Sequence, residues 1–280
     1  MAHTTLVSTA ELAAHLDDPA WVVFDCRHDL AKPDSGEQEY ARSHIPGARF
    51  LHLDRDLAAP ATGMNGRHPL PDAQTFMRTL GAAGVDSTKQ VVAYDAQAGV
   101  YPARLWWMLR WLGHENVAVL DGGYAKWTRE GRAVTAAAPQ ASPTRFTGQP
   151  RALWLDADAV MRAIGQSGRA LVDARSPDRY RGENETLDPV GGRIPGSLNR
   201  FFRDNLDANG CFKPAATLHQ AFVALLGDTP PDAVVHSCGS GVSACHNLLA
   251  MEIAGLRGSK LYPGSWSEWC SDPRRPAEKG

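Results

Sequence analysis

The chain has 280 residues, of which 43% are hydrophobic and 21% charged, a composition typical of a globular protein with a buried core. Its 29 basic and 31 acidic side chains give a net charge of −2, which argues against a nucleic-acid partner. No apolar run could span a bilayer, and the N-terminus lacks the basic and apolar segments of a secretory signal, so we expect a cytoplasmic protein with no membrane partner. The five cysteines form no CxxC pair and the histidines form no metal-binding motif, so we expect no metal site.

The first half of the chain alternates short apolar runs with helical patterns. Ser8 and Glu11 form a capping box, which predicts a short helix through Leu16. Apolar runs at 22–25 and 91–95 predict strands, and an apolar segment at 104–112 predicts a helix. Strands that alternate with helices are typical of an α/β fold, in which helices flank both faces of a parallel sheet.

The second half of the chain repeats the first, with helices predicted near 158–164 and 243–254 and strands at 171–173 and 234–237. Four segments recur in the same order, pairing 22–27 with 170–175, 44–48 with 193–197, 91–95 with 234–238, and 122–127 with 264–269. A repeat this long indicates a duplicated domain rather than a solenoid. We therefore predict two tandem α/β domains, residues 1–137 and 151–280, joined by a proline-containing linker at 138–150.

The loop after the predicted strand 234–237 has the sequence Cys238-Gly239-Ser240-Gly241-Val242-Ser243-Ala244. In α/β sheets, ligands bind where strands end and helices begin. Glycines and small side chains let backbone N–H groups turn toward one point, and a helix N-terminus adds its positive end. Such surroundings favour a thiolate at Cys238, the nucleophilic form of cysteine. The alternative interpretation is a small buried cysteine in a glycine-rich turn.

Two other motifs fit this loop poorly. Residues 239–244 match the GxGxxA pattern of a dinucleotide site, but no acidic residue follows about 20 positions later, where the ribose would need one. A cysteine phosphatase needs an arginine six positions after its nucleophile to hold the phosphoryl oxygens, and that position is Ala244.

Over essentially its whole length the chain resembles the rhodanese/sulfurtransferase superfamily in its two-domain form. The resemblance rests on 173–175, 193–197, the loop 238–244 and the tryptophan-rich 264–269, with 44–48 and 104–110 in the first copy. It implies two tandem rhodanese-like domains and a persulfide carried by Cys238. It also implies a catalytically silent first copy, in which Asp95 occupies the place of the cysteine.

The loop is similar to the CGSGV[ST]A form found in 3-mercaptopyruvate sulfurtransferases, which implies that the sulfur donor is 3-mercaptopyruvate. Thiosulfate-preferring relatives usually carry basic residues after the cysteine, and Gly239 and Ser240 are neutral here. Thiosulfate is a compact dianion that would benefit from such cations, so the neutral loop favours a monoanionic donor. A thiosulfate:cyanide sulfurtransferase with the same nucleophile remains the alternative, as does a sulfur-carrier module without turnover.

The resemblance also implies roles for further residues. Arg179 matches the family's substrate-binding arginine, and its planar fork suits a carboxylate. A second family arginine is replaced by Asp188, so we consider Arg181 or Arg193 as compensating cations. The implied substrate-binding set also contains the loop residues Gly239, Gly241, Val242 and Ser243, and the implied proton relay contains Ser240, His44 and Asp34.

The resemblance implies no organic cofactor, because the persulfide on Cys238 is the only intermediate that the transfer needs. The expected partners are a small-molecule sulfur donor and a thiophilic acceptor, namely a thiol, thioredoxin or cyanide. We expect the protein to be a monomer.

Overall fold

The computed structural model describes residues 2–96, 98–140 and 142–280. Met1 and Gln97 of the predicted first domain and Ala141 of the predicted linker lie outside the described residues. The chain forms two compact units. Unit 1 contains the residues up to Ala59 together with Pro71–Arg151 and Ala208–Cys211, and unit 2 contains Pro60–Leu70, Ala152–Asp207 and Phe212–Gly280. The segment Pro60–Leu70 therefore packs with unit 2, which the linear repeat of the sequence does not predict.

Unit 1 is built on a five-stranded parallel sheet with the strand order β1-β5-β4-β2-β3. Its strands are β1 (Leu6–Val7), β2 (Trp21–Asp25), β3 (Arg49–Phe50), β4 (Gln90–Tyr94) and β5 (Val117–Leu120). Its helices are α1 (Thr9–Ala14), α2 (Ser35–Arg42), α3 (Leu53–Asp56), α4 (Ala73–Ala82), α5 (Val100–Trp111) and α6 (Gly123–Arg129). The central strand β4 is buried along its whole length, as expected for a strand covered on both faces.

The predicted capping box is confirmed at the start of α1. The Ser8 hydroxyl accepts from the Glu11 backbone N–H, and the Glu11 carboxylate accepts from the Ser8 backbone N–H. The helix ends at Ala14, earlier than the sequence predicted. Apolar side chains from the strands, α1 and α6 form one core cluster, which includes Val7, Leu12, Val23, Val92, Leu120 and Trp127.

Unit 2 is built on a four-stranded parallel sheet with the strand order β7-β6-β8-β9. Its strands are β6 (Ala170–Asp173), β7 (Leu198–Asn199), β8 (Val234–Ser237) and β9 (Lys260–Leu261). Its α-helices are α7 (Ala157–Ala163), α8 (Pro177–Tyr180), α9 (Ala215–Leu226), α10 (Ser243–Ile253) and α11 (Ser265–Trp269), and short 3-10 helices lie at Phe202–Asn205 and Pro231–Ala233. The predicted α/β class with parallel sheets is confirmed.

The repeated Asp-x-Arg motif forms the same buried ion pair in each unit. Arg27 donates through Nε and Nη2 to Asp25 Oδ2, at 2.9 and 2.6 Å. Arg175 donates in the same way to Asp173 Oδ2, at 3.0 and 2.6 Å. Removing one partner of such a pair would leave an uncompensated buried charge. We infer that both pairs support the strand ends on which the following loops are built.

Among the described residues, no helix combines the length and apolar character needed to cross a membrane.

Candidate active site

Cys238 directly follows β8 and begins the loop that leads into α10. Two backbone N–H groups of the loop point at its sulfur. The N–H of Ser240 lies 3.4 Å from Cys238 Sγ, and the N–H of Gly241 lies 3.1 Å from it. The arrangement predicted from the sequence is therefore present, and it places positive ends of peptide dipoles where a thiolate or persulfide anion would sit.

The loop is held in this shape by the segment that follows β9. The carbonyl of Cys238 accepts from the N–H of Trp266 at 3.0 Å, and the carbonyl of Gly239 accepts from the N–H of Ser267 at 2.9 Å. The backbone N–H of Cys238 donates to the Ser265 hydroxyl at 3.0 Å. These three bonds fix the backbone of Cys238 and Gly239, the two residues that precede the N–H groups directed at the sulfur.

Gly241 is required by this geometry for two reasons. Its φ of +77° lies in the left-handed region, which side chains disfavour. A Cβ at this position would also lie 2.3 Å from the Pro263 carbonyl oxygen, which is backbone and cannot easily move. The glycine therefore lets the loop pass close to the turn after β9.

Cys238 is only 2% exposed. Burial alone would also fit a structural cysteine, but a structural cysteine does not need two N–H groups aimed at its sulfur. A sulfur atom in this position can be reached by a small donor more easily than by a bulky reagent.

Ser240 lies beside a histidine that the sequence analysis did not select. Its hydroxyl is 2.7 Å from Nδ1 of His68, and both side chains are buried. A hydroxyl paired with an imidazole can exchange a proton near neutral pH. His68 lies on the segment Pro60–Leu70, which packs within unit 2, so its position cannot be read from its place in the linear sequence.

Arg179, on α8, is held by two acidic side chains. Its Nε and Nη2 donate to Glu185 at 3.1 and 2.9 Å, and Nη2 lies 3.5 Å from Asp188 Oδ2. Burial by itself would raise the pKa of Glu185, but hydrogen bonds from Arg179 and from the Leu187 backbone N–H lower it overall. Glu185 is therefore an ionised partner that fixes the orientation of the Arg179 guanidinium.

The cations beside Asp188 are Arg179, described above, and Arg67, rather than Arg181 or Arg193. Arg181 and Arg193 each pair with a different glutamate, Glu183 or Glu278. Asp188 instead forms an ion pair with Nη1 of Arg67. Burial raises the pKa of Asp188, and the ion pair with Arg67 offsets part of that increase.

The remaining loop residues of the predicted site occupy defined positions. Val242 is the N-cap residue of α10, where it is buried, and Ser243 is the first residue of that helix. Gly239 faces the arginines, because a Cβ there would lie 2.7 Å from Arg67 Nη2 and 3.5 Å from Arg179 Nη2.

His44 and Asp34 lie in unit 1, and their predicted roles in a relay stay predictions. Within that unit, the ring nitrogens of His44 contact two carbonyl oxygens, those of Tyr40 at 2.7 Å and Ala137 at 3.2 Å. Asp34 is exposed at the N-cap position of α2 and makes no capping hydrogen bond through its side chain.

One group of side chains in unit 1 could be considered for a metal ion. His28, His52 and Asp54 offer ligand atoms within 4.8 Å of one another. However, His52 Nδ1 already accepts the Asp54 backbone N–H at 3.1 Å as the N-cap of α3. This bond requires the neutral ring to carry its proton on Nε2, where a metal would need a lone pair. The group therefore fits a helix cap better than a metal site.

A family model for the rhodanese-like domain matches residues 8–130 and again residues 156–272. The two matches agree with the duplicated landmarks and with the two parallel sheets. The chain belongs to the rhodanese family. It carries the family's domain twice in tandem. The second copy contains Cys238 and its anion cradle, by which we mean the backbone N–H groups of Ser240 and Gly241 that point at the sulfur.

Full-length relatives carry names with two different sulfur donors. The chain is 48% identical, over 100% of both chains, to a Pseudomonas aeruginosa protein named "Probable 3-mercaptopyruvate sulfurtransferase". It is 33% identical to the thiosulfate sulfurtransferase of Bos taurus, covering 95% of this chain and 92% of that one. The solved structure of the 3-mercaptopyruvate sulfurtransferase from Leishmania major matches with a TM-score of 0.85 and 27% identity, covering 98% of this chain and 76% of that one.

Proposed function

We propose that the protein is a sulfurtransferase that takes a sulfur atom from 3-mercaptopyruvate, holds it as a persulfide on Cys238 and passes it to a thiophilic acceptor. The observation that carries this proposal is the pair of backbone N–H groups directed at Cys238 Sγ, at 3.4 and 3.1 Å. Family membership and the relatives named as 3-mercaptopyruvate sulfurtransferases support the same chemistry.

In the first half-reaction the Cys238 thiolate attacks the sulfur of the donor. A bond forms between the two sulfurs while the carbon–sulfur bond of the donor breaks, and its electron pair leaves on carbon as the enolate of pyruvate. The outer sulfur stays on Cys238 as a persulfide, and the N–H groups of Ser240 and Gly241 stabilise its negative charge.

The departing enolate needs a proton to become pyruvate. We assign this proton to the Ser240 hydroxyl, which His68 can replenish across 2.7 Å. We assign this step to His68 because it contacts Ser240 within unit 2, and the predicted relay role of His44 stays a prediction. In the second half-reaction a thiol, thioredoxin or cyanide attacks the outer sulfur and releases the Cys238 thiolate. No organic cofactor takes part in either step of this scheme.

The charges around Gly239 support the donor assignment. Two arginines, Arg67 and Arg179, lie over this glycine, but Asp188 and Glu185 pair with them. The four charges sum to zero, so the surroundings suit a monoanionic carboxylate better than the dianion thiosulfate. The relative named as a thiosulfate sulfurtransferase keeps thiosulfate as the second candidate donor.

The proposal is tested by measuring thiocyanate formation with cyanide as the acceptor and either 3-mercaptopyruvate or thiosulfate as the donor. We expect turnover with the ping-pong kinetics of a covalent intermediate, and a higher kcat/KM with 3-mercaptopyruvate than with thiosulfate. A reversed donor ratio would favour the thiosulfate alternative. Absence of turnover with both donors would favour a sulfur-carrier module and overturn the proposal.

A further inference from the structure

Arg67 is held against unit 2 by its backbone. Its N–H donates to the Ser267 hydroxyl at 3.0 Å. The preceding Gly66 packs against the turn before α11, where a Cβ would lie 2.9 Å from the Gly264 carbonyl oxygen. Because the main chain is fixed at this point, the Arg67 side chain starts from a defined position beside the loop that carries Cys238.

The Arg67 side chain is directed by a buried acid. Its Nη1 forms an ion pair with Asp188 Oδ1, and the Asp188 side chain is only 2% exposed. Asp188 stands where the superfamily resemblance leads us to expect a second substrate-binding arginine. Asp188 is an acid where the family pattern has a base, and it forms an ion pair with Arg67, which lies 121 positions earlier in the sequence.

The other end of the Arg67 guanidinium faces the residue next to the nucleophile. Its Nη2 lies 2.7 Å from where a Cβ of Gly239 would be, and Nη1 of Arg179 lies 3.6 Å from the same point. Each arginine uses one side of its fork on an acid, Asp188 or Glu185, and brings another nitrogen to Gly239. Two guanidinium groups that converge in this way can share one carboxylate.

We infer that Arg67 is a substrate-binding residue, which together with Arg179 binds the carboxylate of the sulfur donor while Asp188 positions it. This inference rests on the proposed function, since 3-mercaptopyruvate carries its carboxylate two carbons away from its sulfur. In this inference Arg67 takes the role of the missing family arginine. It belongs to the first copy in sequence but packs with unit 2.

The test compares 3-mercaptopyruvate with its methyl ester, which lacks the negative charge. In Arg67→Ala we expect KM for the acid to rise about 10- to 100-fold with little change in kcat, because the lost interaction is made equally in the ground and transition states. We expect the constants for the ester to stay within about 3-fold of wild type, since a hydrogen bond to a neutral group is much weaker than one to a charge. Arg181→Ala, which removes an exposed arginine paired with Glu183, is the matched control and should leave both donors unaffected.

A rescue variant separates binding from folding. The double variant Arg67→Ala/Asp188→Arg places a cation at position 188. We expect its KM for the acid to return most of the way to the wild-type value. An Arg67→Ala variant that affects acid and ester equally, or neither of them, would overturn the assignment of Arg67 while leaving the sulfurtransferase proposal intact. If the wild-type protein forms thiocyanate from cyanide with neither the acid nor the ester as donor, both proposals fail together.

Discussion

The two units place different side chains at the same position of the same fold. In unit 1, Asp95 follows the central strand β4, and its carboxylate accepts the backbone N–H groups of Gly99, Val100 and Tyr101 at 3.1, 2.9 and 3.3 Å. In unit 2, Cys238 follows β8, and its sulfur faces the N–H groups of Ser240 and Gly241. In both units, backbone N–H groups that follow a buried strand point at the residue at the strand end; in unit 1 they belong to the start of α5, and in unit 2 to the loop before α10.

The difference lies in what those N–H groups stabilise. In unit 1 they are satisfied by a carboxyl group that belongs to the chain itself, and this group cannot accept and release a sulfur atom as a thiolate does. In unit 2 they face a thiol, which can lose a proton, accept a sulfur atom and release it again. The fold therefore supplies an anion cradle twice, and the residue at the strand end decides whether the cradle is structural or reactive.

The largest effect on turnover is expected when the nucleophile Cys238 is replaced. Cys238→Ser keeps the loop but removes the sulfur, so pyruvate release should fall by at least about 1000-fold. Cys211→Ser is the matched control, because Cys211 is a half-buried cysteine that belongs to unit 1, and it should retain wild-type turnover. Substantial turnover in Cys238→Ser would contradict the assignment of the nucleophile.

A change in the loop backbone should disturb the cradle without touching the nucleophile. Gly241→Ala forces its Cβ against the Pro263 carbonyl oxygen and strains a positive φ, so we expect kcat/KM to fall about 100-fold. Gly196→Ala is the control in the same unit, since its φ of +72° carries similar strain but a Cβ meets no atom within 4 Å. Equal losses in both variants would mean that strain, rather than displacement of the N–H groups, is responsible.

Removal of the Ser240 hydroxyl should have a smaller effect, because the backbone N–H groups remain. We expect Ser240→Ala to lower kcat about 10-fold and to change the pH dependence of kcat, since the hydroxyl no longer connects His68 to the leaving enolate. Ser240→Thr keeps the hydroxyl and should restore both. A Ser240→Ala profile identical to wild type would remove Ser240 and His68 from the proton path.

The smallest effect on turnover is expected in the cradle of unit 1, where the measurable consequence is stability. Burial raises the pKa of Asp95 to about 7, and the three N–H groups only partly oppose this shift. A raised pKa means that the folded state holds a proton that the unfolded state releases, so this contribution to the free energy of unfolding is full below about pH 4 and is lost as the pH rises to about 7.

Asp95→Asn removes that titration. The quantity to measure is the free energy of unfolding of wild type minus that of Asp95→Asn, each obtained by urea titration. This value should decrease by about 1.4 kcal/mol for each pH unit between about pH 4 and pH 7. Pyruvate release should remain near the wild-type rate in Asp95→Asn. A difference that is constant from pH 4 to pH 7 would contradict the assigned pKa shift.

The features that the sequence predicted correctly are local ones. The individual strands follow from apolar runs, the capping box at Ser8 from a four-residue motif, and the cradle at Cys238 from glycines that are neighbours in the chain. Each depends on residues that are close in sequence, so periodicity and spacing are sufficient to find them.

The residues that the sequence analysis missed are those that reach the site through packing. His68 and Arg67 belong to Pro60–Leu70, a segment inside the first repeat that packs with unit 2. Arg181 and Arg193, which we considered as compensating cations, each pair with a glutamate. The sequence did contain one sign of a further cation. Asp188 stands where the family has an arginine, and an acid in a site for an anionic donor requires a cation from elsewhere in the chain.

The central claim is that Cys238 carries the transferred sulfur, and intact-mass spectrometry after incubation with 3-mercaptopyruvate tests it most directly. We predict one added sulfur atom on the wild-type protein, located on the peptide that contains Cys238, removed by cyanide and absent from Cys238→Ser. An unmodified wild-type protein, or an added sulfur that persists in Cys238→Ser, would contradict the account.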